Sequence, residues 1–289
     1  MKLKESELIL NDNGSIYHLN LKPEDISNDI IFVGDPDRVE KVTQYFDRID
    51  FSTQKREFKT ITGVYKNKRI SVISTGIGSD NIDIVLNELD ALVNINFQTR
   101  TIKENHTALN IIRIGTSGSL QKDIPVNSFL LSTHALDING MLRSYPTENI
   151  SHSDIENAFV AHTNWDPKKC FPLVIKNSKT LESKLVSNKV FKGMTATAAG
   201  FYGPQGRILR LAVKDPNLNS KIDSFDYHGI KVTNLEMETS AIYGLSKLLG
   251  HRACSMNAII ANRALGMFSE NPDKVIQDLI LYTLEKMVS

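Results

Sequence analysis

Apolar residues in this chain gather into short, largely β-branched runs. They are Ile30-Ile31-Phe32-Val33, Arg69-Ile70-Ser71-Val72-Ile73, Ile111-Ile112-Arg113-Ile114, Ser128-Phe129-Leu130-Leu131, Ile230-Lys231-Val232-Thr233 and Ala258-Ile259-Ile260. Runs this short and apolar on both faces read as buried strands of a parallel or mixed sheet. Between them the period changes. In 79–97, Ile82, Ile84, Val85, Leu89, Leu92 and Val93 fall near i, i+3, i+4, i+7 spacing, which predicts an amphipathic helix. Residues 236–250 carry Met237, Ile242, Leu245 and Leu249 and stop at Gly250, a C-cap signal. Residues 271–288 open on Asn271-Pro272-Asp273 and read as a C-terminal helix. The alternation predicts one α/β domain over 1–289, a three-layer α/β/α sandwich around a mixed central sheet. Residues 134–180 carry little pattern, contain the only tryptophan (Trp165), and are expected to form an irregular surface excursion.

Composition narrows the function classes. With 34 basic and 33 acidic side chains the formal charge is +1, so no basic face for nucleic acid is implied. A small anion is not excluded, since two or three arginines in one pocket suffice. No stretch approaches the ~20 apolar residues of a membrane span, and the charged N-terminus lacks a signal-peptide core, so a cytoplasmic protein is expected. Cys170 and Cys254 are 84 residues apart, without CxxC or Cys/His metal-ligand spacing. Neither a disulfide scaffold nor a structural zinc site is expected, and the histidines form no metal constellation by spacing.

Five segments could carry chemistry. Gly34-Asp35-Pro36-Asp37-Arg38 follows the first strand; alone it reads as a strand-to-helix turn with its arginine in solvent. Ser74-Thr75-Gly76-Ile77-Gly78 fits neither GxGxxG nor a P-loop and reads as a glycine-permitted turn into a helix. In Arg113-Ile114-Gly115-Thr116-Ser117-Gly118 an arginine sits inside an apolar run, so either an oxyanion or a core carboxylate must meet it. Thr116 and Ser117 follow, which makes a phosphate cradle the better reading. Phe201-Tyr202-Gly203-Pro204-Gln205-Gly206-Arg207 places Gln and Arg donors beside an aromatic ring. That set matches the carbonyl–NH–carbonyl edge of a uracil-like base, the alternative being a surface turn. In Asn234-Leu235-Glu236-Met237-Glu238 two carboxylates bound a helix start; one suits a pair of sugar hydroxyls, and both also suit a helix N-terminus. His18 alone reads as a surface or capping residue.

Taken together, the segments resemble the nucleoside phosphorylase family of trimeric-type α/β fold, and within it the members that cleave uridine. The resemblance rests on Tyr17-His18-Leu19, GDPDRV at 34–39, REF at 56–58, STGIG at 74–78, RIGTSG at 113–118, FYGPQGR at 201–207 and NLEME at 234–238. FYGPQGR is the most specific; GDPDRV, RIGTSG and EME are shared with purine phosphorylases and nucleosidases. The resemblance implies that Gly34, Arg38, Arg113 and Thr116 hold phosphate, with Arg56 arriving from a neighbouring subunit. It implies that Met237 and Glu238 hold the ribose and that a neighbour's His18 meets the 5′ hydroxyl. It implies that Phe201, Gln205 and Arg207 bind the base, with Gly118 at its face and Ile260 nearby. Purine-acting members carry a Ser-Asp after the last sheet strand; here Ala261-Asn262-Arg263 offers no acid. Ser79-Asp80-Asn81 replaces the usual Gly-Pro-Ser, which weakens but does not remove the case for a monovalent-cation site near Glu57, and Ala199 replaces an aspartate before the Phe-Tyr pair.

The implied reaction is uridine + phosphate ⇌ uracil + ribose 1-phosphate, with Arg207, Glu238 and Arg113 as the catalytic set. Phosphate is a co-substrate, and no metal or other cofactor is implied. The expected partners are these small molecules and further copies of the chain, as a homodimer or a hexamer of three dimers. A hydrolytic nucleosidase of the same fold is the nearest rival, and a non-catalytic nucleoside sensor a more distant one.

Overall fold

The computed structural model describes residues 2–289. Its strands and helices run β1 Asp29–Val33, α1 Pro36–Thr43, β2 Arg48–Lys55, β3 Phe58–Tyr65, β4 Lys68–Ser74, α2 Ser79–Asn94, β5 Ile95–Asn96 and β6 Thr101–Ile102. The central part follows with β7 Asn110–Ser119, β8 Phe129–Asp137, α3 Ser153–Thr163, β9 Leu173–Lys176, α4 Lys179–Leu185 and β10 Val190–Thr197. The chain closes with α5 Leu218–Asp223, β11 Asp226–Tyr227, β12 Ile230–Glu236, α6 Thr239–Leu248, β13 Arg252–Asn262, β14 Met267–Phe268 and α7 Pro272–Val288.

The main sheet has the order β11-β12-β10-β8-β13-β7-β1-β4-β3-β2 and mixes parallel and antiparallel pairs. One added antiparallel pairing, Asn234 with Ser119 and Leu235 with Gly118, joins β12 to β7. It closes β12-β10-β8-β13-β7 on itself, so that segment is barrel-like and its strand ends converge. One face buries Leu86, Leu89, Ile242 and Tyr243 of α2 and α6. The opposite face buries Val39, Val42, Leu181, Leu185, Leu279 and Leu284 of α1, α4 and α7. The expected three-layer α/β/α sandwich is therefore present, with helices on both faces of a mixed sheet.

All six apolar runs are strands, and the three helical periods are helices, the first ending at Asn94 rather than 97 and the second starting at Thr239 rather than 236. β2 does not stand out as a run because it lies at the sheet edge, with alternate residues facing solvent, and β3 is buried but built largely from Thr, Lys and Gly between its apolar residues. Residues 134–180 require a correction. They finish β8, then form α3, β9 and the start of α4, and they bury Ile155, Phe159, Val174 and Ile175. The many polar residues there occupy the outer face of α3 and the loops around it, which hid the inward pattern.

Candidate functional site

The strand ends of the closed segment carry a buried charge cluster. Arg113 on β7 is 6% exposed. It donates through Nη2 to Glu238 Oε2 at 2.5 Å and through Nη1 to Asn257 Oδ1 at 3.1 Å, with Glu236 Oε2 at 3.3 Å. Burial opposes its charge, but Glu236 and Glu238 outweigh burial and hold the guanidinium above its ordinary pKa. A Cβ at Gly115 would stand 1.7 Å from Arg113 Nη1, so only glycine lets the guanidinium fold back over its own strand. The apolar run thus meets carboxylates of its own chain, the reading that ranked second.

The two acids do different work. Glu236 ends β12 and accepts from Thr197 Oγ1 at 2.7 Å and from the Glu238 and Thr239 amides, so it ties the start of α6 to β10. Burial raises its pKa, against the pull of Arg113. Glu238 is the N-cap residue of α6, and its Oε1 accepts the Gly78 amide at 2.8 Å. Gly78, at φ +100°, is in turn the N-cap of α2. STGIG is therefore the glycine turn expected, and it also fixes the Glu238 carboxylate. Met237 is half-buried between the two acids, and its carbonyl lies 3.2 Å from Ser79 Oγ.

Arg38 joins this cluster. It lies in the first turn of α1, capped by Asp35, and is partly buried. Burial and then the nearby Arg113 lower its pKa, opposed by Asp35 and Glu238. It faces the cluster, not open solvent as the motif alone suggested. Gly34 precedes it, 3.5 Å from the Gly76 carbonyl if given a Cβ, and half-buried Thr116 directly follows the Gly115 crossing. Two guanidinium groups, a hydroxyl and open backbone amides are the donor set an oxyanion needs.

The 201–207 loop is built differently. Arg207 Nη1 donates to Gln205 Oε1 at 2.6 Å and to the Phe201 carbonyl at 2.7 Å, and its guanidinium lies 3.8 Å from the Phe201 ring centroid. Gln205 is buried, while Phe201 is 51% exposed. A cavity of about 750 Å³ opens beside the loop between Trp165, Tyr202, Leu209 and Leu211, and Arg207 lines it.

Residues 29–281 match the phosphorylase superfamily. The chain belongs to this superfamily. A curated uridine phosphorylase of Thermococcus kodakarensis is 29% identical over 280 residues, covering 94% of this chain and 87% of that one. A DeoD-type purine nucleoside phosphorylase of Listeria innocua is 26% identical over 274 residues, covering 94% and 98%. Among solved structures, a Trypanosoma brucei nucleoside phosphorylase, described as showing uridine phosphorylase activity, superposes with a TM-score of 0.88. It is 29% identical and the alignment covers 98% of this chain and 99% of that one.

For this superfamily member the structure adds one residue that sequence reasoning left unassigned. Arg263 follows β13 and runs alongside Gly118, its Cγ and Cδ 3.4 Å from where a Gly118 Cβ would stand. With the Asn219 amide oriented to satisfy both neighbours, Asn219 donates to the Gln205 carbonyl at 3.1 Å and accepts from Arg263 Nη2 at 2.8 Å. Arg263 Nη1 is buried without a partner. Burial and the adjacent Arg207 lower its pKa to about 10. The signal was present in Ala261-Asn262-Arg263, where the arginine is the unexplained charge. Asn262 beside it is structural, donating to the Gln121 and Ile124 carbonyls at 2.9 Å. Ile260 sits at the β13 bulge, half-buried, just before them.

His18 and Arg56 form a third group. Lys55 Nζ donates to the Tyr17 carbonyl at 2.5 Å and lies 4.4 Å from the Tyr17 ring, joining the two segments. His18 Nδ1 lies 2.6 Å from Glu88 Oε1, and the His18 and Leu19 amides also donate to Glu88. Arg56 is exposed at the hairpin tip in the left-handed region, φ +55°. Neither contacts the Arg113 cluster of its own chain.

Spacing also missed a cluster of Asp90, His106 and His251, whose ligand-type atoms lie within 4.8 Å of one another. His251 Nδ1 accepts the Leu109 amide at 3.2 Å, so Nε2 carries the proton and faces Asp90 Oδ1 at 3.3 Å. In that tautomer Nε2 is buried without a hydrogen-bond partner and offers no lone pair to a metal.

Proposed function

We propose that this chain catalyses the reversible phosphorolysis of uridine, giving uracil and ribose 1-phosphate. The observation that carries the reading is the 201–207 loop. Gln205 and Arg207 are already joined, Arg207 is stacked on Phe201, and Arg263 lies behind them with no acid to protonate a purine. Gln205 Oε1, which accepts from Arg207, keeps a second lone pair for an imide N–H, while amide and guanidinium N–H groups donate to the flanking carbonyls. Glu238 takes the ribose 2′ and 3′ hydroxyls, with Met237 against the sugar. Gly34, Arg38, Arg113 and Thr116 bind phosphate as co-substrate.

As the glycosidic bond breaks, positive charge grows on the sugar and negative charge on the base. Phosphate on the anomeric face opposite the base stabilises the first and attacks C1′. Arg207, with Gln205 and Arg263, stabilises the second. Positioning and preorganised electrostatics supply the rate enhancement. His18 and Arg56 complete the site of a second copy, which accounts for their distance from Arg113 within one chain, and the working unit is a homodimer.

The test is a panel of uridine, thymidine, deoxyuridine, inosine and adenosine, each with and without phosphate. Uracil release that requires phosphate is expected. Equal turnover of uridine and inosine would overturn the base assignment, and turnover without phosphate would favour the hydrolytic reading.

A further inference from the structure

Away from the strand ends, four basic side chains meet with no carboxylate between them. His134 on β8 stands opposite Lys176 on β9 in the antiparallel register. His152, which precedes α3, places its ring 6.4 Å from the His134 ring at 76°. Lys247 lies near the end of α6, about 13 Å of helix from Glu238 at its start. It is close enough to act on both imidazoles, and Lys176 acts on it in turn. Among the described residues neither lysine forms an ion pair. The nearby acids are Asp154, exposed on α3, and Glu156, whose Oε1 is held by the His152 and Val174 amides at 3.0 and 2.8 Å.

The His134 ring shows what is missing. Thr133 Oγ1 lies 3.1 Å from the Gly193 carbonyl and 3.0 Å from His134 Nδ1. The hydroxyl has one proton, which the carbonyl takes, so Nδ1 carries its own proton and donates to the hydroxyl. Nε2 is then a bare lone pair, buried and without a partner, in a side chain that is 9% exposed. Burial and then Lys176 keep the ring neutral, with its pKa down to about 4. The surrounding charge calls for an anion, whereas the lone pair calls for a donor.

We propose that His134, His152, Lys176 and Lys247 form a second oxyanion site, separate from the Arg113 cluster, that takes a phosphate group still carrying a proton. The P–OH donates to His134 Nε2 while the charged oxygens meet Lys176, Lys247 and the His152 edge. Sulfate at neutral pH has the charge but lacks the proton. The group belongs either to inorganic phosphate or to a sugar phosphate monoester.

The test is equilibrium titration at pH 7 with inorganic phosphate, ribose 5-phosphate and sulfate, on the wild-type chain and on Lys176→Ala/Lys247→Ala. Two phosphates per wild-type chain and one per variant are expected, with turnover at saturating substrate unchanged as proof that the variant is folded. Phosphate should exceed sulfate at the second site by about tenfold or more, the scale of a hydrogen bond to a charged group. In His134→Gln, whose amide can donate, that ratio should fall towards one. Tighter ribose 5-phosphate binding there would identify a monoester as the ligand, and weaker binding free phosphate. One phosphate per wild-type chain, a second site unaffected by the lysine substitutions, or sulfate binding as tightly as phosphate would each overturn the proposal.

Discussion

Arg113 and Arg207 both face the substrate in this reading, yet they are held in opposite ways. Arg113 is sealed on β7 between Glu236, Glu238 and Asn257, with its protonation secured by charge. Arg207 is half-exposed on a loop, held by Gln205 and the Phe201 carbonyl and by stacking on an exposed ring. On that reading the sugar and phosphate floor is part of the protein core, so function and stability are linked there. On the same reading the base reader is a surface loop, and its arginine makes no contact with the Arg113 cluster.

That contrast sets the order of expected effects. Arg113→Met leaves two buried carboxylates unpaired and should lower unfolding free energy by about 3–5 kcal/mol, read from denaturant midpoints. In that variant Glu236, whose carboxyl pKa burial raises and Arg113 no longer opposes, keeps a proton in the folded chain that the unfolded chain releases above its ordinary pKa. Its stability should therefore rise as pH falls from 7 towards 5, and a flat profile would argue against unpaired charge.

Arg207→Ala should reduce turnover roughly 100-fold, as for loss of one oxyanion donor. Its unfolding free energy should stay within about 1 kcal/mol of the parent. A loss of stability comparable to Arg113→Met would dissolve the comparison. Asn219→Ala removes the link between Gln205 and Arg263. One hydrogen bond of about 1 kcal/mol predicts a several-fold rise in KM for uridine, with KM for phosphate unchanged.

A further effect lies outside the site. His134 has its pKa depressed from 6.5 to about 4, so between those values the unfolded chain binds the proton and the folded chain does not. Stability should therefore decline as pH falls through that window and hold level above it, and the decline should be weaker in His134→Gln by thermal unfolding at pH 4 to 7.

How much was legible in the chain differs between the same regions. FYGPQGR is contiguous, so Phe201, Gln205 and Arg207 could be read together before any fold was known. RIGTSG announced a buried arginine but not its partners, because Glu236, Glu238 and Asn257 lie more than a hundred residues away and arrive only with β12 and β13. Arg38 read as a solvent residue for the same reason. Arg263 was visible as a charge without a role until Asn219, 44 positions earlier, was seen to bridge it to Gln205. The 134–180 segment failed in another way: polar neighbours mask Ile155 and Phe159 on α3, and the buried run of β9 is only three residues long.

By itself the sequence determined six of the strands, three of the helices, the α/β class and the local chemistry of each loop, because β-branched runs, helical period and side-chain donor sets are properties of near neighbours. The tertiary structure decided which loops share a site, and it did so by pairing β12 with β7. That closure brings two distant carboxylates onto one buried arginine, and removing charges from water is tolerable only where the fold supplies the opposite charge at hydrogen-bond distance.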